Sequence, residues 1–366
     1  MNPNPFLGVL LHAIGGLMAA SFYIPYKKVK HWAWEVFWLA GGLFSWIIAP
    51  TVFALIIAPQ SIGAIFAVEP RVRFWTYFFG VLWGIGGLTF GLSMRYLGIA
   101  LGYAIALGFC AAFGTLMPPI FHGEFGKIIG ERSGQVVLLG VLVCLVGIAI
   151  SGMAGLSKER ELPDEGKTDS IAEFNFPKGV LVAVFAGIMS ACMAFAMDAG
   201  KPIGQAAVTL GTPDVLQNLP MLIVALLGGF TTNFIWCVIL AAKNGTWRQF
   251  FSTREGSTPY PGDFLQVLAA WAWPMVRNYA LCALAGVTWY LQFFFYGMGT
   301  TKMGKYNFSS WTIHMAAIII FSTVWGIALL EWKGTSRRTH ILIALGLAVL
   351  IGSTIVVGYG NYLGAH

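Results

Sequence analysis

The sequence predicts an all-α polytopic membrane protein with ten transmembrane helices in two inverted five-helix repeats. Three observations predict it. Of the 366 residues, 57% are hydrophobic and 10% are charged, with a mean hydropathy of +0.74; soluble domains carry about 25% charged residues. The apolar residues gather into ten runs, each close to the roughly 20 residues a helix needs to cross a bilayer. The second half of the chain also repeats motifs of the first.

The runs lie at roughly 5–26, 34–58, 74–95, 99–121, 134–154, 178–198, 217–242, 276–299, 307–330 and 340–362. The first follows MNPNPF, which lacks a basic n-region, so it reads as a span and not a cleavable signal. It closes on Tyr23-Ile24-Pro25-Tyr26, where proline ends or kinks a helix. The second opens with Trp34-Glu35, a carboxylate at a helix N-terminus. The third ends at Arg95, read as an interfacial anchor. Pro118-Pro119 in the fourth and Pro220 in the seventh are candidate breaks. Asp198 and Lys201 close the sixth as a solvated ion pair. Gln217 and Asn218 begin the seventh and could reach a central site from above. Trp32, Trp34, Trp75 and Trp332 suit an interfacial belt.

Two connections are long. The first, 156–177, contains the charged run KERELPDEGKTD and divides the chain into a first repeat, 1–155, and a second, 178–366. The other, 243–275, begins polar and turn-rich and ends in FLQVLAAWAWP. That apolar end is too short to span and reads as interfacial, with an N-terminal extension of the eighth helix as the alternative.

At one constant spacing Gly80-Val81-x-Trp83 falls on Gly286-Val287-x-Trp289, and Leu139-Gly140 on Leu345-Gly346. At a second, shorter spacing Gly8-Val9-Leu10 matches Gly179-Val180-Leu181. Five helices per half is an odd number, so the second half inserts upside down relative to the first. Inverted repeats with a midplane site are an alternating-access architecture. About two thirds of the 22 Lys and Arg fall in the odd-to-even connections, which places those loops in the cytoplasm and both termini outside. The net charge of +7 is thus an orientation signal and not a nucleic-acid footprint. Cys110, Cys144, Cys192, Cys237 and Cys282 all sit in apolar runs without metal-ligand or CxxC spacing, and no residue pattern calls for a cofactor.

The stretch Gly286–His314 concentrates polar groups where they are costly unless they face a cavity. Gln292, Asn307, Ser310 and His314 are interleaved with Tyr290 and Trp311. Amides, hydroxyls and aromatic faces suit a neutral polyhydroxylated ligand of sugar size; helix–helix glue is the competing reading. Trp46 and Trp83 could stack on such a ligand or serve as core. His12 lies inside the first span, where a histidine is either a proton carrier or a neutral hydrogen-bonding partner. Glu35 is either a coupling carboxylate or a helix-end charge paired with a nearby lysine.

Several longer motifs resemble one known family. They include Phe22-Tyr23-x-Pro25-x-Lys27-Lys28-Val29-Lys30, Trp34-Glu35, Met94-Arg95-Tyr96-Leu97-Gly98, Gly114-Thr115-Leu116-Met117, Trp289-Tyr290-Leu291-Gln292-Phe293-Phe294-Phe295-Tyr296 and Ser310-Trp311-x-x-His314-Met315. These resemble the bacterial L-rhamnose–proton symporters of the drug/metabolite transporter superfamily, over nearly the whole chain. The resemblance implies ten helices in two inverted repeats, with the first four of each lining the pathway and helices 5 and 10 peripheral. It implies uptake of L-rhamnose, or a related deoxy sugar, with a proton across the bacterial cytoplasmic membrane. The sugar is then expected among Gln292, Tyr290, Trp311, Ser310 and Asn307, with helix 1 and helix 3 residues opposite and Trp83 and Trp46 as further binding candidates. His12 or Glu35 is expected to carry the proton, with His314 in reserve. An exporter of cationic drugs should instead carry a carboxylate deep in its first helix, where this chain has His12. An enzyme should show a soluble domain or clustered acid–base groups, and neither is visible.

Overall fold

The computed structural model describes residues 3–97, 99–161, 175–251 and 264–365. Ten helices are long and apolar enough to cross a membrane: α1 (Pro5–Tyr26), α2 (Trp34–Ile57), α3 (Pro70–Met94), α4 (Ala104–Phe121), α5 (Arg132–Glu161), α6 (Phe176–Thr209), α7 (Asp214–Asn244), α8 (Trp273–Thr300), α9 (Gly304–Ala328) and α10 (Arg337–Ala365). No strand occurs among the described residues.

Local chemistry sets the ends and breaks. Asn4 caps α1 by accepting from the Leu7 amide at 3.1 Å, and Asn175 caps α6 through the Lys178 amide at 3.2 Å. The helix of α1 is interrupted at Phe22, before the short turn Tyr23–Tyr26 that contains Pro25. In α2 one wider, π-type turn runs over Phe44–Ile48, just ahead of Pro50. α6 breaks at Gly200, and α7 ends on Gly245 at φ +70°, a left-handed cap that glycine adopts without strain.

Four expectations need correction. Pro220 does not break α7: it lies in the first turn of the run Leu219–Asn244, where its missing N–H has no helical partner to lose. The helix carrying Pro118 and Pro119 likewise continues through both, over Ile99–Phe121. The segment from Phe264 is helical without interruption to Thr300, so it extends α8 and is not a separate interfacial piece. Trp32 is buried, edge-on to Tyr279 at 4.9 Å, and is not a belt residue. α5 also runs to Glu161, beyond the expected start of the linker. The rest of that linker (162–174), Gly98, positions 252–263 of the long connection and the Arg95 side chain lie outside the described residues.

Packing follows small residues. α1 lies against α8 and α9, and α6 against α3 and α4; α2 packs on α8 and α7, and α5 on α10. A Cβ added at Gly16 would fall 2.4 Å from Ala317 Cβ on α9, and one at Gly187 would fall 2.6 Å from the Ala106 carbonyl beside α4. On the last pair the contacts are reciprocal: Gly140 meets Val357, and Gly346 meets Ser151. Such close backbone approach is how membrane helices gain contact without a hydrophobic driving force.

On the face that carries the N-terminus, Glu131 joins the start of α5 to the 8–9 turn. Its Oε2 lies 2.6 Å from Lys305 Nζ and also accepts from the Tyr306 hydroxyl, which meets Ser133 Oγ at 2.7 Å. Lys305 first, then Tyr306, holds the Glu131 carboxyl below its ordinary range. A depressed carboxylate contributes fully at neutral pH, starts to weaken below its unfolded value of about 4.3, and is lost as pH falls through the lower folded value. The melting temperature of detergent-solubilised protein should therefore exceed that of Glu131→Gln slightly at neutral pH. The gap should close in acid; a gap that widens there would contradict this link.

Candidate functional site

A cavity of about 390 Å³ opens on the face that carries the N-terminus. Its walls come from the ends of α4 and α6 and the start of α7 on one side, and from α8 and α9 on the other. Pro118, Ala194, Met197 and Met221 make an apolar wall, while Asp198, Gln217, Asn218, Thr300 and Asn307 supply polar groups. The floor is Tyr296 and Trp311, whose rings meet edge to face at 5.6 Å and 88°. Their positions are fixed from the opposite helices. Trp311 Nε1 donates to the Cys110 carbonyl at 3.1 Å, and the indole lies where a Cβ at Gly114 would have to be. Asn218 Nδ2 donates to the Gly297 carbonyl at 2.7 Å and to Thr300 Oγ1 at 3.0 Å, which ties α7 to α8.

Directly beneath the floor lie His12 and His314, both fully buried. Tyr296 touches both rings, at centroid distances of 5.2 and 5.1 Å, and the two imidazoles are 6.5 Å apart. Among the described residues no ring nitrogen of either histidine makes a hydrogen bond of ordinary geometry. Glycines make room for them: His314 lies over Gly15 of α1, and His12 over Gly299 of α8. Buried polar atoms without partners are uncommon and call for an explanation.

Below the histidines the path is shut. Trp83, Trp289 and Phe293 form a cluster with centroid distances of 5.3 to 5.7 Å, and Trp46 stands edge-on to Trp289 at 5.5 Å. Towards the far face, Tyr26 fills the space over Gly41, and Trp38 is held by Asn233, which accepts from its Nε1 at 3.1 Å. The space left among Tyr26, Trp38, Trp46 and Trp289 is about 10 Å³, at most the room one water needs. Among the described residues the path is thus open to one face and closed towards the other.

A comparison with known proteins decides the family. The profile of the L-rhamnose-proton symport protein (RhaT) family matches residues 1–362. The L-rhamnose-proton symporter of Cronobacter sakazakii is 38% identical over 357 residues, covering 97% of each chain. That of Yersinia pestis is 37% identical over 366 residues, covering 98% of this chain and 99% of its own. The chain belongs to the L-rhamnose-proton symport protein family. It is therefore a member of a family of transporters, not of enzymes.

In this family member, the expected site residues divide by position. Asn307 and Trp311 line the cavity, and His12 and His314 pack together beneath it. Ser310 is fully buried with its hydroxyl unpartnered. Gln292 is buried on α8, whose backbone at that residue lies against Gly15. Tyr290 turns away, edge-on to Phe53 at 5.5 Å. Trp83 and Trp46 belong to the aromatic plug and do not line the cavity. Glu35 lies elsewhere, at the start of α2, where it accepts from Asn244 Nδ2 at 3.0 Å and Thr246 Oγ1 at 2.7 Å. No lysine among the described residues pairs with it, and it braces the end of α7 against α2. The residue that sequence reasoning undervalued is Tyr296. Its signal was periodicity, because Trp289, Gln292, Phe293 and Tyr296 share one face of a 3.6-residue helix. His122, 2.6 Å from Asp198 across α4 and α6, left no such signal. No cluster of metal-ligating side chains occurs among the described residues.

Proposed function

We propose that the protein imports L-rhamnose with a proton across the bacterial cytoplasmic membrane by alternating access. The observation that carries this reading is the stacking of two features: a sugar-sized cavity with polar and apolar walls, and beneath its aromatic floor a buried histidine pair. The names of the relatives, which are L-rhamnose-proton symporters over nearly full length, agree with it.

Residues 1–155 and 178–366 act as two inverted repeats. Exchanging the helices of the two halves turns the α1 contacts with α8 and α9 into the α6 contacts with α3 and α4, which supports this. The distribution of Lys and Arg supports an orientation with both termini outside; in that orientation the cavity faces the periplasm. The sugar rests with a C–H face on Trp311, its hydroxyls towards Asn307, Thr300 and the free amide oxygen of Asn218. His12 and His314 hold the proton between them. Two imidazolium charges in one dry site would repel, so the pair carries one proton, and Glu35 serves as a brace. Sugar on the floor shields the pair from water and moves Tyr296, which touches both rings. Coupling requires only that the protonated pair favours the sugar-bound floor, and linkage makes that preference mutual.

A neutral sugar moving with one proton carries charge. The proton gains about 2.3 kcal/mol per 100 mV, enough for about fifty-fold accumulation at 1.36 kcal/mol per decade. A rhamnose jump over protein reconstituted on a supported membrane should evoke an inward positive current that saturates with sugar. Monodisperse protein that gives neither current nor rhamnose binding would overturn the assignment.

A further inference from the structure

We propose that Asp198 is the specificity-determining acceptor for the sugar, receiving hydrogen bonds from two neighbouring ring hydroxyls, and that Lys201 and His122 hold it in place. The proposal rests on the symport reading above and names a group to which that reading gives no role. Among the described residues that line the cavity, Asp198 is the only carboxylate. It differs from the exposed ion pairs elsewhere on the protein. The Asp198 side chain is 20% exposed, against 43% for Glu331 paired with Lys27 and 47% for Glu131 paired with Lys305. It also lines the cavity, which those carboxylates do not.

The carboxylate is fixed from two elements. Lys201 Nζ lies 2.5 Å from Oδ1, from beyond the Gly200 break in α6, and His122 Nε2 lies 2.6 Å from Oδ2, from the end of α4. Each oxygen has two lone-pair directions, and each uses one on these partners. One acceptor position per oxygen is left, and a carboxylate can take two neighbouring hydroxyls, one on each oxygen. A carboxylate can only accept and a sugar hydroxyl must donate somewhere, so the match is one of kind. Because Lys201 and His122 already hold the group, little rotamer freedom is lost when sugar arrives. Across the cavity, Trp311 offers the flat surface and Asn307 and Asn218 the remaining polar contacts.

The test uses the full-length reconstituted protein and compares Asp198→Asn, Asp198→Glu and His122→Gln. Calorimetry gives the Kd for rhamnose and for a series of analogues, each lacking one ring hydroxyl. Hydrogen bonds to a charged group are stronger than those between neutral groups, so Asp198→Asn should weaken rhamnose binding at least about tenfold, with partial rescue by Asp198→Glu. In the natural protein two analogues, missing neighbouring hydroxyls, should lose a similar factor, and in Asp198→Asn those same two should lose little. His122→Gln alters one of the two groups that hold the carboxylate but leaves the acceptor itself, so it should weaken binding by less than Asp198→Asn does and keep the dependence on the same two hydroxyls. Three results would overturn the proposal. One is Asp198→Asn binding rhamnose like the natural protein. Another is an analogue series shifted by one factor throughout, and the third is His122→Gln losing as much as Asp198→Asn, which would mark a purely structural tie. Absence of rhamnose binding in the natural protein would overturn this proposal and the symport reading together, so the two failures are distinguishable.

Discussion

Replacing His314 with glutamine is expected to abolish concentrative uptake of rhamnose while sparing rhamnose exchange. His314 is fully buried, packs against His12 and Tyr296, and makes no ring hydrogen bond of ordinary geometry among the described residues. Glutamine keeps an amide of similar reach but cannot take up a proton near neutral pH. Accumulation should fall from about fifty-fold per 100 mV to equality across the membrane. Equilibrium counterflow, which needs only that the loaded carrier cross back and forth, should stay within about threefold. His12→Gln is expected to act in the same direction, because a proton shared by two imidazoles is destabilised when either is removed. Gly299→Ala offers a milder probe: its Cβ would fall 2.8 Å from His12 Cε1 and displace the ring without removing it. Uptake assays in energised vesicles beside counterflow in the same vesicles separate the two activities. If His314→Gln still concentrates rhamnose, the histidine pair is not the proton site.

The largest effect on stability is expected where α3 crosses α7. A Cβ at Gly80 would fall 2.1 Å from the Ala225 carbonyl oxygen, and one at Gly228 would fall 2.2 Å from the Tyr77 carbonyl oxygen. Both obstacles are backbone, so no rotamer change relieves them and the helices must separate. Separation would also strain the tie between Tyr77 and Thr231, 2.9 Å apart at the same crossing. Overpacking a tight contact costs about 1–3 kcal/mol and sometimes more; Gly80→Leu or Gly228→Leu should reach the upper end and leave little monodisperse protein. Gly87, on the same helix, meets nothing within 4 Å. Gly87→Ala should be neutral or stabilising, by up to about 1 kcal/mol from helix propensity. Size-exclusion profiles and melting temperatures of the three variants check the contrast. Equal tolerance at Gly80 and Gly87 would contradict the crossing geometry.

The spans were legible because burial in lipid demands long apolar runs, and nothing in tertiary packing overrides that requirement. Their ends were less so. Pro220 looks like a break in a string of letters and becomes a first-turn residue once the short turn Asp214–Leu216 precedes it. FLQVLAAWAWP was too short to span alone, yet it is continuous with α8, so length by itself misjudged it. The site was legible in chemistry more than in geometry. The run from Trp289 to Tyr296 holds polar and aromatic groups on one helix, and a 3.6-residue period turns Tyr290 away from the face shared by Gln292 and Tyr296. The structure follows the period: Tyr296 reaches the cavity floor and Tyr290 packs on Phe53. Trp83 and Trp46 were suitable sugar platforms by residue type, but the α3, α2 and α8 contacts gather them into the plug. His12 with His314, and Asp198 with His122, are pairings between distant segments. No local pattern encodes them; they follow from which helices cross, through contacts such as those of Gly15, Gly299 and Gly187.

The central claim is that sugar and proton move together through this bundle. The most direct measurement is proton movement driven by sugar alone. Proteoliposomes with the membrane potential clamped at zero and no initial pH difference would receive an inward rhamnose gradient, with a pH dye inside and labelled rhamnose counted in parallel. The account predicts internal acidification that starts with rhamnose influx, at about one proton per sugar, and disappears in His314→Gln while exchange persists. Rhamnose influx at the normal rate with no change in internal pH would contradict it.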